Sequence, residues 1–142
     1  MASAERTENF DVEIEKIYQV ITDYESYPDF MDGVSSVNIL SRDGAQAKME
    51  YQINIIKKFS YILITEEKED NSGLSWSFDS GDLFSSNNGS WSLSDNGDGT
   101  TEVTYKIDVD FKLKVPGMIS RKLVSSNLPS MMKSVLKKAK SI

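Results

Sequence analysis

Between residues 102 and 112 the side chains alternate without a break. Val103, Tyr105, Ile107, Val109 and Phe111 point one way, and Glu102, Thr104, Lys106, Asp108, Asp110 and Lys112 the other. A period of two held over that length describes an antiparallel strand with one dry face and one wet face. Shorter stretches upstream carry the same signal. Residues 35–41 are expected as a strand, with a hairpin signal following at Asp43-Gly44. Ala45, Ala47, Met49, Tyr51, Ile53 and Ile55 then alternate with Gln46, Lys48, Glu50, Gln52 and Asn54. Residues 59–67 are rich in β-formers but apolar on both faces over 61–64, which leaves their orientation open. Leu74, Trp76 and Phe78 alternate with serines and Asp79. A polar turn is expected around Asn87-Asn88-Gly89, followed by a strand at 90–94 centred on Trp91.

A meander of six half-apolar strands cannot bury its own dry face. Helical periodicity enters in three places. A weakly alternating strand at 7–12 precedes a helix at 13–22, where Ile14, Ile17, Val20 and Ile21 share one face. Residues 24–34 read as a short second helix or tight turn, punctuated by Pro28 and closed by Gly33. From Pro116, a natural first helical position, Val124, Leu128, Met131 and Val135 form one stripe that Met132, Leu136 and Ala139 broaden. Pro129 is expected to kink that helix or split it near Asn127. The long terminal helix is the one element able to cover the sheet. The expected fold class is therefore α+β, with residues 1–142 as a single domain. A curved antiparallel sheet of about seven strands surrounds a long C-terminal helix, and two short helices follow the first strand. That geometry leaves a space between sheet and helix. A guest of ordinary size there asks for about 300 Å³ or more.

Composition narrows the chemistry. The chain has no histidine and no cysteine, so structural zinc sites, blue copper, iron–sulfur clusters, Cys–His pairs and Ser–His–Asp triads are excluded. Any acid–base chemistry falls to Asp, Glu, Tyr or Lys, or to the ligand. A carboxylate-bound Ca²⁺ or Mg²⁺ stays formally open, but no metal ligand, cofactor or catalytic residue is assigned. Asp95-Asn-Gly-Asp-Gly99 lacks the spacing and terminal Glu of a calcium loop and reads as a hairpin turn. Asn88-Gly-Ser90 is a glycosylation sequon without a secretory route, and no Gly-rich phosphate loop is present. Residues 1–10 carry no apolar targeting core, so cytoplasm is the expected location.

Charge is unevenly spread. Residues 112–142 hold 8 of the 16 basic side chains and none of the 22 acidic ones. The ordinary reading is a basic helix on an acidic sheet, with lysines near a helix C-terminus suiting its dipole. The sharper reading is a face for transient contact with an anionic membrane surface, or for RNA. Negative charge over residues 1–111 makes nucleic acid the poorer partner.

Asp23-Tyr-Glu-Ser-Tyr-Pro-Asp-Phe-Met31 resembles the D-Y-x-x-Y-P-x-F segment of the START-like (SRPBCC) superfamily, in its polyketide cyclase and coenzyme Q-binding branch. Gly89-Ser-Trp-Ser-Leu93, the run Gly97-Asp-Gly-Thr-Thr-Glu-Val-Thr-Tyr105 and the Val115-Pro116 helix start are weaker matches. The resemblance runs along nearly the whole chain. It implies a helix-grip fold holding a hydrophobic guest (a lipid, quinone or polyketide) beneath the terminal helix. The superfamily includes cyclases, quinone chaperones and a ribosome-associated branch, so the fold does not by itself fix function.

On this basis the sheet offers Tyr51, Trp76, Phe78, Trp91, Tyr105, Ile107 and Val109 as cavity lining, and the helix offers Leu128, Met131, Met132 and Val135. Aromatics supply flat contacts with polar tips, and methionines adapt to irregular guests. For any one of them taken alone plain core is the favoured reading, and it is for the group that the resemblance favours a cavity lining. Tyr24, Tyr27, Phe30 and Met31 are candidates for the cavity mouth, or for packing at the open end of the sheet. Glu66, Glu67 and Asp79 are the carboxylates nearest the inward strands. Acting as a base would require apolar surroundings, whereas the alternation puts Asp79 in water. The favoured reading is a carrier, chaperone or sensor of a hydrophobic small molecule. A polyketide cyclase or dehydratase comes second, and a ribosome- or RNA-binding module third.

Overall fold

A computed structural model describes residues 2–31, 33–54 and 57–142. Its strands are β1 (Ala2–Phe10), β2 (Val34–Asp43), β3 (Gln46–Asn54), β4 (Lys58–Glu67), β5 (Gly73–Gly81), β6 (Phe84–Asp95) and β7 (Thr101–Phe111). They form one antiparallel sheet in the order β1-β7-β6-β5-β4-β3-β2, so β2 to β7 are a pure meander and β1 closes on the last strand. Register shifts between Val34 and Ser36, Ile39 and Ser41, Ile62 and Leu63, and Phe84 and Ser86 bend the sheet. Helix α1 (Ile14–Ile21) and a 3₁₀ turn (Tyr24–Asp29) lie between β1 and β2. The chain ends in α2 (Gly117–Arg121), a π-helical turn (Lys122–Ser126) and α3 (Leu128–Lys140). This is the helix-grip arrangement that the resemblance implies.

Alternation becomes burial along the inner strands. Ala47, Met49, Tyr51 and Ile53 of β3 are buried, as are Val103, Tyr105 and Val109 of β7. The expected strand residue Ile55 lies outside the described residues. In β4 the ambiguous run resolves: Tyr61, Leu63 and Thr65 turn inward, while Ile62 and Ile64 stay half-buried on the convex side beside Glu50 and Lys48. Helix α1 buries Ile17, Val20 and Ile21, and α3 buries Leu128, Met132, Val135 and Ala139.

Two sequence expectations are corrected. The first strand spans Ala2–Phe10 rather than 7–12. Its backbone pairs with β7 from Ala2 opposite Val109 to Phe10 opposite Thr101, and pairing of this kind needs no apolar pattern in an edge strand. Val12 lies just beyond it, and its carbonyl accepts the Thr101 hydroxyl at 2.8 Å. The sixth strand spans Phe84–Asp95 rather than 90–94, so Asn87-Asn88-Gly89 is strand interior. Pairing with β7 holds this polar run extended, with Asn87 opposite Val109 and Gly89 opposite Ile107.

The terminal helix divides at Asn127, with Pro129 in the first turn of α3, where its missing N–H costs nothing. Pro116 stands one residue before α2, which begins at Gly117. Near the far end, the Lys138 ammonium lies 3.2 Å from Asp29 and that of Lys140 lies 2.9 Å from Asp11. Lys140 holds the Asp11 carboxyl below its usual range. These exposed pairs fix the seating of α3 more than they add to stability.

Adjacent methionines on α3 separate packing from lining. Met132 is fully buried, so Met132→Ala should cost about 2–5 kcal/mol in urea unfolding. Met131 is half-buried and faces open space, so Met131→Ala should cost under about 2 kcal/mol.

Candidate ligand-binding cavity

Between the curved sheet and the terminal helical segment the two surfaces do not close completely. A cavity of about 110 Å³ remains. Its sheet wall is Tyr51 and Ile53 of β3, Tyr61, Leu63 and Thr65 of β4, Leu74 and Trp76 of β5, Phe84, Asn87 and Trp91 of β6, and Tyr105, Ile107 and Val109 of β7. Lys122, Leu123, Val124, Asn127, Leu128 and Met131 form the helix side, and Tyr27, Met31 and Val34 complete one end.

The aromatic side chains brace one another. Tyr51 and Tyr61 stack with planes 7° apart and centroids 5.2 Å apart. Tyr105 meets Trp91 edge-on at 4.8 Å and lies 5.6 Å from Trp76. Rings too wide to interdigitate keep a flat-walled space open where smaller side chains would fill it. Met31, Val34, Lys122, Leu123, Asn127 and Met131 keep partial solvent contact, which sets the mouth between the π-helical turn and the segment after the 3₁₀ turn.

Polar atoms are few on this wall. The Tyr27 hydroxyl donates to the Ile21 carbonyl at 2.5 Å. Trp76 Nε1 donates to Asn87 Oδ1 at 3.0 Å. The hydroxyls of Tyr51, Tyr61 and Tyr105 bond to no other described residue, yet no fully occluded side-chain oxygen or nitrogen among the described residues lacks a partner. The three hydroxyls therefore touch the cavity space. Burial pushes all three phenols up, and for Tyr51 and Tyr61 the neighbouring cavity phenols push further.

Of the residues expected on the wall, Tyr51, Trp76, Trp91, Tyr105, Ile107, Val109, Leu128 and Met131 are there. Phe78 is not: paired with Leu63 at the last position before the β4–β5 register shift, it packs edge-on against Phe84. Met132 and Val135 are wholly buried in the core away from the cavity. At the end of the sheet, Tyr27 and Met31 reach the space, whereas Tyr24 and Phe30 do not. Tyr24 is buried and donates to Glu67 at 2.5 Å, and Phe30 packs on Tyr27 with the Lys138 ammonium 5.7 Å above its ring. Tyr61, Leu63 and Thr65 escape a sequence reading because β4 is apolar on both faces. Phe84 escapes it because the polar run after it has the composition of a turn, and Asn87 because it belongs to that run.

The three carboxylates considered as bases are held elsewhere. Glu67 accepts from Tyr24 and, at 2.6 Å, from Arg42, whose guanidinium it holds above its ordinary range. Glu66 is exposed and accepts from Gln46 at 3.2 Å, and exposed Asp79 lies 4.0 Å from Lys48.

A family model described as polyketide cyclase / dehydrase and lipid transport matches residues 10–135. No curated protein sequence matches the chain. Among solved structures, a protein of Thermus thermophilus superposes with a TM-score of 0.82 at 19% identity, covering 99% of this chain and 98% of that one. A START superfamily protein of Mycobacterium smegmatis gives 0.80 at 22% identity, covering 98% and 97%. The Zhui aromatase/cyclase of Streptomyces sp. R1128 gives 0.69 at 12% identity, covering 99% and 87%. At these identities the likeness is one of fold.

Tyr24, Tyr27, Tyr51, Tyr61 and Tyr105 are all buried, with phenols raised above the ordinary value of 10.0 chiefly by desolvation. Above pH 10 the unfolded chain loses these protons while the native one keeps them. Stability is therefore complete below pH 10 and drains away as pH climbs toward the native pKa values. Phenolate absorbance at 295 nm should rise together with loss of circular dichroism. A separate phenolate step near pH 10 from these five residues in folded protein would contradict the burial.

Proposed function

The chain belongs to the polyketide cyclase / dehydrase and lipid transport family, and from that premise we propose that residues 1–142 act as one domain carrying a hydrophobic small molecule. The guest (a lipid, quinone or polyketide-like compound) sits between the sheet and the terminal helix, with the protein as carrier, chaperone or sensor. The observation that carries this reading is the cavity itself. It is walled by Tyr51, Tyr61, Trp76, Trp91 and Tyr105 and opens between the π-helical turn and Met31. Its volume of about 110 Å³ is short of the expected 300 Å³, so it suits a small ring system as it stands. A larger guest requires the segment 122–131 to move outward. The cyclase alternative needs a base at the guest. Asp79, Glu66 and Glu67 are engaged off the wall, which favours carriage over cyclisation.

The Leu128 side chain sits on the wall, so Leu128→Trp should fill the space. Native mass spectrometry with organic extraction should find a small molecule on the wild-type protein and none on the variant. Added guests that quench Trp76 and Trp91 should bind the variant at least tenfold more weakly. Equal binding by both proteins would place the guest elsewhere.

A specific observation also supports loading at a membrane surface. Leu113 is 42% exposed and Met118 75% exposed, and around them stand Lys112, Lys114, Arg121 and Lys122. Lys138 and Lys140 are tied to Asp29 and Asp11, so the useful basic surface is the start of the terminal segment, next to the cavity mouth. Vesicles containing phosphatidylserine should retain the protein in low salt and release it at 0.5 M NaCl. Met118→Asp with Leu113→Asp should abolish retention. Equal retention by pure phosphatidylcholine vesicles would contradict this route.

A further inference from the structure

Strands β5 and β6 pair only from Gly73 opposite Ser92 to Trp76 opposite Gly89, although β6 continues to Phe84 along β7. Where the ladder stops, side chains take over. A Cβ built on Gly89 would stand 2.2 Å from Trp76 Cζ2, so the indole lies directly across this glycine. Its Nε1 thereby reaches Asn87, two residues along the same face of β6, at 3.0 Å.

That bond fixes the chemistry of Asn87. An indole N–H only donates, so the amide atom it meets is the oxygen and the NH₂ group is turned the other way. Asn87 is 4% exposed and lies on the cavity wall. Its Nδ2 has no hydrogen-bond partner among the described residues, and no occluded side-chain nitrogen there goes unpartnered, so Nδ2 touches the cavity space. The wall thus carries an oriented group able only to donate, beside the flat faces of Trp76, Trp91 and Tyr105. Among the described wall residues the one charged side chain is Lys122, exposed at the mouth. No described charged side chain stands at the buried end to compensate a charged guest.

Resting on the cavity reading above, we propose that Asn87, set in place by Trp76 and Gly89, selects guests that bring an uncharged acceptor oxygen to the buried wall, as a flat ketone or quinone does. A pure hydrocarbon of the same shape leaves the amide unsatisfied and is discriminated against.

The pair 1-indanone and indane tests this, since they differ by a carbonyl in place of a methylene. Dissociation constants for both are measured on the wild-type chain and on Asn87→Leu. The ratio of ketone to hydrocarbon affinity should fall about fivefold or more in the variant, as the ketone loses its donor and the hydrocarbon no longer leaves an amide unsatisfied. If both compounds bind and the ratio is unchanged, Asn87 is only a latch for Trp76 and the proposal is overturned while the cavity reading stands. If neither compound binds the wild-type protein, both fall. Should Asn87→Leu not fold, the wild-type side-chain amide decides alone. An Asn87 Nδ2 proton should move downfield in ¹⁵N-edited NMR spectra with 1-indanone and not with indane. An unmoved resonance overturns the proposal.

Discussion

Burial of one helical stripe against a concave sheet is the contact on which the rest of the molecule depends. Val124, Leu128, Met132, Val135 and Ala139 are the buried side of the terminal segment, and among the described residues no other helix of comparable length covers the inward faces of β3, β4, β6 and β7. Removing that cover exposes both apolar surfaces at once, at roughly 25 cal/mol for each Å². The sheet, as a meander, forms from local pairings. Its dry face becomes stable only when the last part of the chain arrives.

The same contact explains why an opening persists. Val135 and Ala139, toward the C-terminal end of α3, are fully buried, and α1 packs against the same helix. Toward the π-helical turn the opposing wall is aromatic, and stacked or edge-on rings hold each other at fixed spacing. The rings are braced by each other rather than by the helix, so the space follows from the sequence of β3 to β7. Polar atoms within it are few and oriented, and they give the space chemical preference as well as size.

Much of the fold was legible in the sequence. Unbroken alternation located β7, and the helical spacing of Ile17, Val20 and Ile21 located α1. Pro129 marked the division of the terminal helix at Asn127. The errors fell where tertiary pairing outweighs local pattern. β1 is an edge strand whose pairing with β7 does not need buried side chains, and Asn87-Asn88-Gly89 has turn composition but lies inside a strand. The cavity wall was legible on strands with a clear inward face, which is why Tyr51, Trp91 and Tyr105 were found. Tyr61 was hidden by the doubly apolar β4, and Met132 could not be told from Met131 because helical spacing gives a stripe and not its depth. Asn87 is the instructive miss. A polar residue on the dry face breaks the pattern that would locate it, and only the indole across Gly89 reveals its use.

Xenon enters small dry apolar cavities without needing any specific chemistry. Crystals of the protein held under xenon pressure test most directly whether sheet and helix leave a space between them. A xenon atom is expected there, in van der Waals contact with Trp91, Tyr105 and Leu128. Leu128 closing onto Trp91 with no xenon between them, or the terminal segment lifted away from the sheet, would contradict it.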